Sequence, residues 1–222
     1  MVDVRPSYWR YRRRRKVYAR RFGTYSYIMP YRDYETLDIE RVALVPIDVQ
    51  QGFDDERWGD RNNPDAERHI GELLAAFREA DLPVFHVKHD STERGSPLRP
   101  DRPGNAFKAE AEPAEDEPVI SKDVNSAFIG TDLETRLREA GVRRPVFVGF
   151  TTDHCVSTTT RMAENLGFDP FVVGDACVTH DRELNGTRYA AEQNHRLSLA
   201  QLSGEFAEIV ETATLLAALE AR

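Results

Sequence analysis

The chain has 222 residues, 40% of them apolar, with two cysteines and a net charge of −8. That is enough apolar material for one α/β domain whose core needs no staples, and too few cysteines for a disulfide framework. No run is apolar over the length of a signal-peptide core or a membrane span, so the expected setting is a reducing cytoplasm with no membrane partner.

Residues 1–38 differ in kind from the rest of the chain. They hold ten Arg or Lys against four Asp or Glu, a charge of +6 that leaves −14 for residues 39–222, and seven of the eight tyrosines lie between Tyr8 and Tyr34. The stretch RYRRRRKVYARRFGTYSYIMPYRDY has no 3.6-residue apolar period and no clear face to bury. It reads as a basic, Tyr-rich extension, either a solvated arm or one that packs on a neighbouring subunit. Arginines interleaved with aromatics are also the composition of a nucleic-acid contact. Like-charge blocks are more often disordered or interaction tails, so nucleic acid is not the expected partner. Met29 is an alternative start, and Arg20 and Arg21 lack the apolar run that a twin-arginine export signal needs.

From residue 39 to 222 strands alternate with helices, the pattern of a doubly wound, mostly parallel sheet with helices on both faces. RVALVPI, Arg41 to Ile47, is the continuous apolar run of a doubly buried strand, with Asp48 at its carboxyl end. PDAERHIGELLAAFREADL predicts a helix, with Pro64 near its start and Ile70, Leu73, Leu74 and Phe77 on one face. PVFHVKH, Pro83 to His89, is the second strand. The segment from Asp90 to Glu117 is rich in Pro and Gly without a regular period, and a loop of that length is expected to rim a functional site. PVIS then leads to Lys122, and GTDLETRLREAGV predicts a helix capped by Thr131 or Asp132. RPVFVGF is a central strand, after which Asp153 or a neighbouring Thr is expected to open the helix carrying Cys155. DPFVVGDACV, a helix over Arg188 to Leu202 and a short strand over Glu208 to Val210 complete the expected elements.

Three residues stand out because each lies at the carboxyl end of a strand, where open α/β sheets bind ligands: Asp48, Lys122 and Cys155. A carboxylate, an ammonium and a thiol converging there make a nucleophile with its activating groups. A cysteine at a helix start is expected to be held as thiolate by the helix dipole, and Lys122 would add to that. Each residue also has a plainer reading. A lone cysteine is commonly packing, as expected for Cys177, an Asp after a strand commonly caps a turn, and a Lys before a loop is commonly solvated.

The surrounding motifs lift the three above that reading. DVQQGF (Asp48 to Phe53), SKDVNSAFIGTDL (Ser121 to Leu133) and GFTTDHCVSTTTRMAENLGF (Gly149 to Phe168) together resemble the isochorismatase-like cysteine hydrolases. That family includes nicotinamidases, N-carbamoylsarcosine amidase and ureide amidohydrolases, and the resemblance runs from Ile39 to the end. It implies a catalytic triad of Asp48, Lys122 and Cys155, in which Asp48 takes the thiol proton and later gives it to the leaving amine. Cys155 would form a thioester, and Lys122 would orient Asp48. The backbone N–H groups of Thr151 and Cys155 would form the oxyanion hole, beside a cis peptide between Phe150 and Thr151. Gln50, Phe53 and Trp58 after the Asp, Asn125 and Phe128 after the Lys, and His154 beside the Cys are candidates to line a substrate pocket. Thr158 and Thr159 are expected to pack, and His195 to be a buried, hydrogen-bonded histidine.

The pattern also departs from part of that family. Nicotinamidases carry a metal site after the second strand, whereas here the region reads HVKHDSTERG. His86 and His89 are three apart on a strand and point to opposite faces, and His89 with Asp90 falls short of the three or more ligands a metal site usually needs. No metal and no cofactor are therefore expected. The implied activity is cleavage of a C–N bond in a small amide, carbamoyl or ureido substrate by a homo-oligomer, a dimer or tetramer. The alternatives are a vinyl-ether hydrolase on the same scaffold, and a catalytically silent binding or assembly protein that uses its basic arm.

Overall fold

The apolar run at Val42–Ile47 forms the innermost strand, β1, and all six of its residues are buried. In the computed structural model it is followed by α1 (Ala66–Glu79), β2 (His86–His89), β3 (Val119–Lys122), α2 (Leu133–Glu139), β4 (Arg144–Phe150) and α3 (Ser157–Asn165). Then come β5 (Phe171–Val178), a hairpin of β6 (Arg182–Leu184) and β7 (Thr187–Tyr189), α4 (Ala191–Leu202), β8 (Glu208–Val210) and α5 (Thr212–Glu220). The structure describes residues 37–222, which form one unit. Of residues 1–36 it describes only two short strands, Arg20–Arg21 and Thr24–Tyr25, which pair antiparallel. The expectations for the basic extension otherwise lie outside the described residues.

Six strands make one sheet in the order β8-β5-β4-β1-β2-β3, and every neighbouring pair is parallel. From β1 the chain builds outward through β2 and β3, then crosses back to lay β4 on the other side of β1. The strand order therefore reverses between β1 and β4, and their carboxyl ends flank the crevice where such sheets bind ligands.

The two-residue alternation of the strands supplies both faces of the sheet. Val42 and Leu44 of β1 join Val146, Val148 and Phe150 of β4 in a core with Ile70, Leu73, Leu74 and Phe77 of α1 and Leu215 and Leu219 of α5. Ala43, Val45 and Ile47 face the other way and pack with Leu133 and Leu137 of α2, Ala163 of α3 and Leu202 of α4. Full burial of a side chain the size of Leu or Phe stabilises the fold by roughly 1.5–3 kcal/mol, so α1 is held mainly by its apolar stripe. Its helix signal is legible for that reason, although Asp65, at its cap, makes no side-chain capping bond.

Some local expectations are corrected. The second strand is regular only from His86, because Pro83 has no N–H; its carbonyl accepts from Leu44 N at 3.0 Å, and Val84 makes a single bridge to Leu44. Arg188 does not begin a helix: it lies in β7, and Asn185 and Gly186, both at positive φ, form the hairpin turn. Helix α5 is an addition to the expected elements. Among the described residues no helix is long and apolar enough to cross a membrane.

The long segment after β2 is ordered onto the sheet's carboxyl end. Asn105 fixes it, donating from Nδ2 to Leu98 O at 2.8 Å, Asp90 Oδ1 at 3.0 Å and His89 O at 3.2 Å. The loop also packs backbone to backbone: a Cβ on Gly104 would lie 2.7 Å from Pro97 O and 2.8 Å from the Cα of Gly52. Only glycine admits that approach.

Candidate active site

The carboxyl ends of β1 and β4 are brought unusually close by Gly149. Its φ is +114°, and a Cβ there would sit 2.1 Å from Ile47 O, so no other residue fits. One residue past β1, Asp48 adopts a left-handed φ of +55°, donates its N–H to Val87 O at 2.9 Å, and is fully buried. Asp is one of the few non-glycine residues that adopt this conformation at modest cost.

After β4 comes the cis peptide between Phe150 and Thr151 that the motif implies. The next turn, Thr152–Val156, is π-helical: Val156 N donates to Thr151 O at 3.1 Å, five residues back. Cys155 lies inside this turn, two residues before α3 begins. Wide turns of this kind recur at functional sites because they re-aim a side chain. A threonine does open the helical segment carrying Cys155, with Thr151 at its N-cap and Thr152 its first residue, but no side chain makes a capping bond to either the turn or α3. Asp153 instead accepts from Thr179 Oγ1 at 2.6 Å, Arg182 Nε at 2.8 Å and Asn194 Nδ2 at 2.9 Å. It thereby ties the turn to the end of β5, the hairpin and α4. Burial works against its charge, but hydrogen bonds from Thr179, Asn194 and Arg182 hold its carboxyl well below the usual range.

Lys122 ends β3, two strands away from β1, and its side chain crosses the end of β2 to reach the crevice. Its Nζ lies 2.7 Å from Asp48 Oδ2 and 3.4 Å from Cys155 Sγ, and the Lys122 and Asp48 side chains are completely shielded from solvent. Burial would lower the Lys122 pKa, but its neighbours, the Asp48 carboxylate first among them, outweigh it and leave it raised, so the ammonium stays charged. The other carboxylate oxygen, Asp48 Oδ1, is buried with no hydrogen-bond partner among the described residues.

The state of the thiol corrects a sequence expectation. Burial and the neighbouring Asp48 carboxylate push the Cys155 thiol up, and Lys122 opposes them without prevailing. The resting sulfur is therefore a thiol. A thiolate stabilised by the helix dipole would need an open, solvated helix start; the strand ends close over the sulfur and leave Cys155 only 7% exposed.

The candidate pocket residues separate. Asn125 is exposed and its Oδ1 lies 3.6 Å from Cys155 Sγ, which puts it at the site. Gln50 does not line a pocket: it is fully buried, its Nε2 donates to His89 O and Asn105 O, and its Oε1 accepts from His89 N at 2.9 Å. Phe53 is a core residue stacked on Phe150 and against Trp58, whose Nε1 donates to Gly52 O. Phe128 packs on Phe168 over the second core. His154 is exposed, with its ring 3.5 Å from Asp153 Oδ2. Thr159 accepts from Ala127 N at 3.0 Å, and His195 is buried against Thr152 Oγ1 at 2.9 Å. Cys177 is fully buried in β5.

The sequence presents His89 only as a possible metal ligand, and the structure gives it a different neighbour. His86 and His89 do face opposite ways: His86 bonds Glu117 through Nε2 at 2.8 Å, while His89 Nδ1 lies 3.2 Å from Lys122 Nζ. One ligand atom each from Asp48, His89 and Cys155 lie within 4.8 Å of one another, close enough to suggest a cation site. The Lys122 ammonium is bonded to all three, a positive charge where the cation would sit, and Asp90 Oδ1 is taken by Asn105. This donor set does not fit a metal ion.

Comparison with known proteins agrees with the motifs. Residues 42–214 match the model of the isochorismatase domain. The isochorismatase family protein YrdC of Bacillus subtilis is 44% identical over 178 residues, covering 80% of this chain and 95% of that protein. A crystal structure of an isochorismatase-family protein from Chromobacterium violaceum superposes with a TM-score of 0.81 at 44% identity, covering 84% of this chain and 97% of that one. Nicotinamidase 3 of Arabidopsis thaliana is 26% identical over 182 residues, or 76% of this chain and 84% of that protein.

Proposed function

The chain belongs to the isochorismatase family of hydrolases, and on that premise we propose that it cleaves the C–N bond of a small amide, carbamoyl or ureido substrate through a Cys155 thioester. Oδ2 of Asp48 is held by Lys122, while buried Oδ1 is free to take a proton. As the substrate carbonyl approaches, the thiol proton passes to Asp48 and Sγ bonds to the carbonyl carbon, whose oxygen becomes an oxyanion. The N–H groups of Thr151 and Cys155 are the donors assigned to that oxyanion. Collapse breaks the C–N bond, and the leaving nitrogen takes the proton from Asp48. Water then gives a proton to Asp48 and attacks the thioester; the acid leaves, and the proton returns to the sulfur. No step needs a metal or a cofactor.

The observation that carries the reading is one ammonium bonded to both a carboxylate and a thiol, with the carboxylate's second oxygen buried and unpartnered. A thiol that rests protonated beside a base suits attack in which proton and substrate move together. A relative named for an amide substrate, nicotinamidase 3, supports C–N cleavage. The test is a screen of small amides and ureides for ammonia release, with Cys155→Ala as control. Turnover should fall by about a thousandfold or more in that variant. Turnover that survives Cys155→Ala would place the chemistry on Asp48 and Lys122 alone, as in vinyl-ether cleavage.

A further inference from the structure

We propose that His89 is a positioning residue, whose imidazole accepts on Nδ1 the hydrogen bond that fixes the Lys122 ammonium between Asp48 and Cys155. This rests on the thioester reading above for its catalytic consequence, but not for its geometry. An ammonium has three N–H donors and no acceptor. Lys122 meets three acceptors, Asp48 Oδ2 at 2.7 Å, His89 Nδ1 at 3.2 Å and Cys155 Sγ at 3.4 Å, so every donor is spent. The His89 contact uses the remaining N–H and adds a second fixed point, besides Asp48, that holds the ammonium beside the sulfur.

His89 is itself held by the backbone. It stands opposite Lys122 in the β2–β3 register, its N–H donates to Gln50 Oε1 at 2.9 Å, and its carbonyl accepts from Gln50 Nε2 at 3.1 Å and Asn105 Nδ2 at 3.2 Å. Gln50 and Asn105 are both buried. The glutamine two residues after Asp48 thus serves the site by clamping the residue that anchors the lysine.

The arrangement requires a neutral ring carrying its proton on Nε2. The charged groups that act on the ring are Lys122 from β3, Asp48 after β1, and Asp90 and Asp123 from the segments just past β2 and β3; the Cys155 sulfur lies on the same ammonium. Burial and Lys122 lower the His89 pKa below its ordinary 6.5, and the three carboxylates act against them without prevailing. The ring is neutral at pH 7. Below its pKa, the imidazolium loses the acceptor and repels the ammonium, so this contact should set an acid limb in the pH profile.

Nitrogen NMR of the labelled full-length protein, with the His89 signals assigned by their loss in His89→Asn, tests the geometry without any substrate. The expected result is the Nε2–H form at pH 7, titrating below 6.5, with a midpoint that rises in Lys122→Met. A proton on Nδ1 at pH 7, which needs only the wild-type protein, or a midpoint indifferent to Lys122→Met, would overturn the proposal. For turnover, His89→Ala should lower kcat by about tenfold to a hundredfold with little change in KM. His89→Asn, whose Oδ1 replaces Nδ1, should recover most of it and lose the imidazole's acid limb. Ala as active as wild type, or Asn no better than Ala, would contradict it. Failure of the thioester reading would show separately, as turnover that survives Cys155→Ala.

Discussion

The two cysteines are both free, and both are buried in the core on the same side of the sheet, yet the polar groups around them differ. Cys177 lies within β5, opposite Gly149 in the register, with the Phe147 carbonyl at 4.0 Å from its sulfur. Cys155 lies in the π-helical turn beyond β4, with the Lys122 ammonium at 3.4 Å and the Asp48 carboxylate beside it. Burial raises the pKa of both thiols. Low exposure therefore does not separate an inert cysteine from a nucleophile; a base and a cation within reach do.

The largest expected effect removes that difference. Lys122→Ala should lower kcat by about a thousandfold, on the order of 4 kcal/mol of barrier, and leave KM far less changed. Asp48→Asn should do the same, and the double variant should be hardly worse than either single one, because members of one unit do not contribute additively. Additive losses in steady-state kinetics would mean that the two residues act separately, and Cys155 would then differ from Cys177 only by its position.

Next comes Gly149 of β4, which is paired with Ile47 on β1 and with Cys177 on β5. Gly149→Ala forces a Cβ against Ile47 O and a left-handed φ on alanine. The cost should be about 3 kcal/mol or more, read as a lower denaturation midpoint. Activity should fall even where the variant is folded, since β1 and β4 can no longer close on the site. Full activity at wild-type stability would show that the close approach of the strand ends is not needed.

The smallest effect belongs to Cys177→Ala. It should cost about 1–2 kcal/mol of stability through a small cavity, with kcat unchanged. A loss of turnover comparable to that of Cys155→Ala, at retained stability, would reverse the roles assigned to the two sulfurs.

How much of this is legible in the sequence depends on the distance over which each feature is set. Strands and α1 follow from apolar runs and a helical stripe, which are local, and Asp48, Lys122 and Cys155 are marked by strand ends and motifs. The thiol's protonation state is not local: it depends on burial and on Asp48, which is remote from Cys155 in the chain. Gln50 and Phe53 come soon after the Asp in sequence and so read as pocket residues, but the turn after β1 points both inward, one to the His89 backbone and one to the core. The role of His89 becomes visible only when β2 is placed between β1 and β3. The hairpin and α5 are different cases, because Asn185-Gly186 and the Leu215–Leu219 spacing are readable signals.

The central claim is that Cys155 is the activated sulfur and that Lys122 and Asp48 activate it. The most direct measurement is the rate of iodoacetamide labelling of each cysteine near neutral pH, resolved by peptide mapping, in the folded wild type and in Lys122→Ala. The account predicts labelling at Cys155, none at Cys177 until the protein unfolds, and a Cys155 rate that drops by about tenfold or more when the ammonium is removed. Preferential labelling of Cys177, or a Cys155 rate that Lys122→Ala leaves unchanged, would contradict it.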